Sequence, residues 1–130
     1  APHIVDYCGL YSNSVRRMFG DVYPQKTFEQ TMELFDKVLE LAQYNNVVLK
    51  WSHASENFEV PAYPGDMLTP MLKDAIEAFG ADRIMWASDY SVNMLGESWE
   101  DILNGIRKNI DLTDQEIKMI LGGIALKYLQ

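Results

Sequence analysis

Apolar and polar positions alternate between two periods along the 130-residue chain. "HIVDYCG" (3–9) begins as a β-branched run and stops at Gly9, which predicts a short strand over 3–7. The segment from Leu10 to Lys26 scatters Ser, Asn, Gly and Pro, and reads as a long loop or as a loop holding one short helix around Ser14–Phe19. Loops of that length often act as lids. From Thr27 the period changes. Phe28, Met32, Phe35, Leu39 and Ala42 recur at helical spacing, and Thr27 with Gln30 forms a capping box, which predicts a helix running to about Tyr44. "NVVLKW" (46–51) is a second strand, and "SHASENFEVPAYPGD" reads as a loop. A helix over 66–79 follows, with Leu68, Met71, Leu72, Ala75, Ile76 and Phe79 on one side and Gly80 as its stop. The third strand is predicted over Arg83–Ser88, followed by a loop over 90–97. Ser98 caps a helix over 99–109. Thr113 and Glu116 form another capping box, and the helix it opens should run to about Leu121, where Gly122-Gly123 breaks it before "IALKYL".

The order strand, helix, strand, helix, strand, helix, helix predicts an α/β fold with parallel strands and right-handed crossovers. No linker or internal repeat divides the chain, so residues 1–130 read as a single α/β unit. A flavodoxin-like domain would carry five parallel strands. Three strands and no glycine-rich phosphate loop argue against it.

Composition narrows the function. Forty-eight per cent of the chain is apolar, a globular composition rather than a disordered one. No apolar run approaches the ~20 residues that span a bilayer, and no signal peptide is visible. The missing initiator Met suggests processing or a fragment. A net charge of −8, with no basic run longer than a pair such as Arg16-Arg17, sets nucleic acid aside. The single Cys8 excludes an internal disulfide framework and points to the cytoplasm.

The chemistry lies where strands end. In parallel α/β folds ligands bind at the carboxyl ends of strands. Asp89 sits at such an end, as does Tyr7, and Lys50 and His53 lie at or just past the end of the second strand. A carboxylate there can bind a divalent metal or act as a general base. Plain structural roles are also open: a turn former for Asp89, a solvated side chain for His53, a rim charge or ion-pair partner for Lys50.

"FGADRIMWASDY" (79–90) resembles the closing-strand motif of the amidohydrolase-2 family, close to "fGadRimfgSDyP". That family consists of metal-dependent (β/α)8-barrel enzymes. "HIVDYCG" resembles its sixth-strand segment, "NNVVLKWS" its seventh strand, and "DQEIKMILGGIALKYL" its C-terminal segment, in the same order. The resemblance implies that this chain corresponds to strands six to eight of a TIM barrel, ending in two helices. It implies that Asp89 ligates a divalent metal, zinc first, or takes the proton of a metal-activated water. Tyr7 and His53 would then line the substrate pocket. The implied reactions are hydrolysis of an amide or lactone, or decarboxylation of a small carboxylic acid.

The chain also departs from the pattern. The sixth-strand His is Tyr7, a poor base at neutral pH since a phenol has a pKa of ~10. The Pro of the closing motif is Ser91, and the Asn of the C-terminal motif is Ile124. A full barrel takes about 250 residues. The family's first-strand His-x-His pair and fifth-strand His have no counterpart, and neither His3 nor His53 replaces them by spacing. The chain alone is therefore expected to be inactive. It is the C-terminal part of a larger enzyme, or a non-catalytic remnant that self-associates or binds a partner. Either way the open sheet should associate, with the rest of a barrel or with another copy.

Overall fold

The computed structural model describes residues 2–13, 24–90 and 96–129. The expected short helix at Ser14–Phe19, and Ser91, lie outside the described residues. Three parallel strands form one sheet in the order β1 (His3–Val5), β2 (Val47–Trp51), β3 (Ile84–Trp86). Val5 pairs with Leu49, and Leu49 with Ile84. Helices fill the connections, which is why the strands can be parallel. α1 (Phe28–Leu39) lies between β1 and β2, α2 (Ala54–Phe58) and α3 (Thr69–Phe79) lie between β2 and β3, and α4 (Trp99–Arg107), α5 (Asp114–Lys118) and α6 (Ile124–Leu129) follow β3.

Local chemistry sets most of the boundaries. The Thr27 hydroxyl accepts from Gln30 N–H at 3.1 Å while Gln30 Oε1 accepts from Thr27 N–H at 2.9 Å. Thr113 and Glu116 repeat the arrangement at 3.1 and 2.8 Å. Ser98 caps α4 by accepting from Asp101 N–H at 3.0 Å. Gly80, at φ 80°, ends α3 in a conformation that glycine adopts freely.

Side chains alternate between the two faces of the sheet. Leu49, Trp51 and Ile84 belong to the main core with Phe35, Leu72, Ala75 and Phe79. Phe58 stands edge-on to Phe35 at 5.2 Å and stacked on Trp51 at 6.1 Å. Burying each such side chain stabilises the fold by about 1.5–3 kcal/mol. On the opposite face Val48 and Met85 form a second cluster with Ile124, against which Met119 and Tyr128 pack.

Four expectations need correction. The strands are shorter than expected, because β1 stops at Val5 and β3 at Trp86. The stretch after Trp51 is not all loop, since it contains α2. The helix predicted over 66–79 starts at Thr69, with Pro70 in its first turn, where the absent N–H costs nothing. Gly122-Gly123 does not break the last helix: Met119–Gly123 form a π-helical turn leading directly into α6. That helical segment touches both sheet clusters. Ile120 belongs to the main core, and Ile124 to the opposite one. Of the three strands, the segment lies against β3.

Candidate active site

Beyond each strand the chain enters the left-handed region. Tyr7 (φ 53°) and Cys8 (φ 56°) follow β1, His53 (φ 58°) follows β2 and Asp89 (φ 50°) follows β3. Each such residue costs about 1–3 kcal/mol and persists only where its surroundings over-determine it. They do so here at the first strand. Tyr7 N–H donates to Asp6 Oδ1 at 2.9 Å and lies 3.1 Å from Ser52 Oγ. The Ser52 hydroxyl itself donates to Asp6 Oδ1 at 3.0 Å. The Tyr7 carbonyl accepts from Asn57 Nδ2 at 2.7 Å. The Cys8 thiol donates to the Ser52 carbonyl at 3.4 Å, and burial pushes it well above its ordinary value.

These turns bring three expected site residues together. His53 Nδ1 lies 3.2 Å from Asp89 Oδ2, and the Tyr7 ring stands edge-on to the His53 ring at 5.6 Å. On its other side His53 Nε2 lies 3.8 Å from Glu56 Oε2. The imidazole thus stands between two carboxylates. Lys50 is not part of this group. It pairs with Asp6 at 3.5 Å, the ion-pair role open to it. His3 begins β1, at the opposite end of the sheet from the rim.

The His53–Asp89 contact is within ion-pair distance but is not aligned as a hydrogen bond. Asp89 Oδ2 is buried and receives no hydrogen bond from the described residues. Leaving a charged acceptor so costs more than the ~1–3 kcal/mol of a neutral one. Against the pair lies a cavity of about 30 Å³, lined by Ser55, Glu56, Ser88 and Asp89 together with Trp51 and Leu72.

Glu56, Ser52 and Asn57 were missed in the sequence. The signal for Glu56 was its place three residues after His53, the spacing of one helix face. The Pro and Gly further along made the whole stretch read as a loop.

A metal fits these residues only in part. A catalytic zinc takes three protein ligands. Among the described residues no three His, Cys, Asp or Glu side chains group to hold one. No helix among the described residues is long and apolar enough to cross a membrane.

Comparison with known proteins bears on this geometry. A family profile described as Amidohydrolase matches residues 21–129. The uncharacterized protein y4mH of Sinorhizobium fredii (strain NBRC 101917 / NGR234) is 28% identical over 105 residues, covering 81% of this chain and 30% of that protein. An amidohydrolase from Burkholderia multivorans, solved with bound HEPES, superposes with a TM-score of 0.70 at 21% identity, over 95% of this chain and 42% of that one. A second structure of an amidohydrolase from that organism, with bound zinc, gives 0.63 at 23% identity, over 78% and 38%. The structural likeness establishes the fold. The chain spans about a third of the curated relative and about two-fifths of the solved chains.

Proposed function

Because the chain belongs to the amidohydrolase family, we propose that residues 1–130 are the C-terminal part of a barrel enzyme with its active site at the rim of β1, β2 and β3. The reaction is hydrolysis of an amide or lactone, or decarboxylation of a small carboxylic acid. One observation carries this reading: residues in the left-handed region after all three parallel strands bring Tyr7, His53 and Asp89 into one group, at the strand ends where such folds bind ligands.

In this reading Asp89 takes or gives the proton of the reacting group. His53 holds the carboxylate from one side and faces substrate with Tyr7, whose phenol donates a hydrogen bond. A divalent metal, zinc first, would supply Lewis acidity and lower the pKa of a water to about 7. Asp89 would be its one ligand from this segment, and the others would come from strands outside it. The segment alone would then neither hold the metal nor turn over substrate. The relative with bound zinc supports a metal in the assembled protein.

A second reading has its own support. Ile124 stands where the family pattern has Asn, and it is buried against Val48 and Met85 on the second sheet face. That apolar cover suits a free-standing, non-catalytic module that associates with itself or a partner.

The test is Asp89→Asn in the natural protein that carries this chain, assayed with amide, lactone and carboxylic-acid substrates. The enzyme reading expects kcat/KM to fall at least ~100-fold, the low end for losing a general acid–base group, with less bound metal. Unchanged turnover and metal content would remove Asp89 from the site. Absence of both activity and metal in the unaltered protein would favour the second reading.

A further inference from the structure

We infer that the cavity behind the rim is a hydration site, in which about one or two bound waters donate a hydrogen bond to Asp89 Oδ2. The cavity, about 30 Å³, exceeds the ~10–15 Å³ that a single water requires. Asp89 Oδ2 is buried and lacks a hydrogen-bond donor, although His53 Nδ1 stands 3.2 Å away. A carboxylate oxygen only accepts hydrogen bonds, so its partner here is a donor unless it ligates a cation.

The lining specifies what kind of donor. Ser55, Glu56 and Ser88 line the cavity with Asp89, and they supply the further partners a buried water needs. The Ser88 hydroxyl accepts from Tyr90 N–H at 3.4 Å, which leaves its proton to give. Leu72, Ile106 and Trp51 also line it. Apolar groups cannot complete the shell of a cation, whereas a buried water needs only about two to four polar partners. Dry protein cavities are lined by apolar groups throughout, and this one is not.

The arrangement gives the two oxygens of Asp89 different tasks. The side chain keeps 20% of its surface exposed although Oδ2 is buried. Water bound to Oδ2, beside the imidazole, therefore fixes the rotation of the carboxylate, while its exposed part stays free for a ligand. Hydration of the cavity stands whether or not Asp89 is catalytic. Its use, aiming the carboxylate at substrate, rests on the function proposed above.

A crystal structure of the natural protein that carries this chain, at a resolution that shows ordered water, tests the site without reference to activity. The expected result is density ~2.5–3.0 Å from Asp89 Oδ2, without anomalous signal and with Ser55, Ser88 or Glu56 as a second partner. A protein N–H meeting Oδ2 directly would overturn the inference, and so would a scatterer with anomalous signal at ~2.0–2.2 Å, the distance of a zinc-bound carboxylate. The Asp89→Leu variant supplies a second arm. Water anchored by Asp89 leaves when the carboxylate does, and density persisting on the same serines would refute the anchoring. Should that variant fail to fold, the density in the unaltered protein decides.

Discussion

Replacing Arg83 by Met should cost more stability than any other change at a half-exposed position of the sheet. Arg83 precedes β3 and binds four carbonyls. Its Nε donates to Phe79 at 3.0 Å, Nη1 to Tyr44 at 2.8 Å and Val47 at 3.3 Å, and Nη2 to Ala42 at 2.9 Å. One planar fork thus ties the end of α3 to the turn after α1 and to the start of β2. The guanidinium also lies 5.3 Å from the Phe79 ring centre. A charge-assisted bond is worth ~1.5–3 kcal/mol when buried. The Tyr44 bond is exposed and the other three are only partly buried, so water recovers part of each. Taking about 1 kcal/mol for each of the three, and ~0.5–1 kcal/mol for the ring contact, gives a loss of about 3–4 kcal/mol. With an m-value of roughly 1–3 kcal/mol/M in urea, the unfolding midpoint drops by about 1–4 M. Arg83→Lys should fall in between, because an ammonium cannot span carbonyls that a fork spans. Urea unfolding of the natural protein and both variants, followed by tryptophan fluorescence, measures this. A loss within ~0.5 kcal/mol for the Met variant, the range of ordinary surface changes, would refute the reasoning.

Three further outcomes follow. Gly105→Ala places a methyl group against the Ala62 carbonyl oxygen and should destabilise by ~1–3 kcal/mol, visible as a lower thermal midpoint. Tyr7→Phe keeps the ring against His53 but removes the phenol, so kcat/KM should fall roughly 10-fold, the value of one neutral hydrogen bond; an unchanged rate would deny the phenol a chemical role. The Cys8 thiol is raised in the folded protein by burial, so the folded state holds that proton where the unfolded state, near 9.0, releases it. This contribution to stability is complete below pH 9 and declines as pH rises above it, and folded Cys8 should resist alkylation at pH 8 until denaturant is added.

Much of the fold was legible because strong local signals agreed with the packing. The capping boxes at Thr27 and Thr113 and the stripe through Phe35 and Leu39 marked helices whose apolar sides do meet the sheet. What failed was short or context-dependent. A five-residue helix such as α2 has too few turns to show a period. Gly122-Gly123 carried the weight of a stop signal, yet Ile120 and Ile124 on either side are held by two cores, and this overrides the propensity. At the site, strand-end position brought Tyr7, Lys50, His53 and Asp89 into view and the family resemblance gave Tyr7, His53 and Asp89 their roles, while Lys50 pairs with Asp6 instead. Glu56 and Asn57 stayed hidden because their place depends on α2 turning back beneath the rim.

The helical segment from Met119 onward also ties the two faces of the sheet together. Ile120 sits in the main core, and Ile124 packs against Val48 and Met85 on the opposite face. Loosening this one segment would therefore loosen both clusters at once.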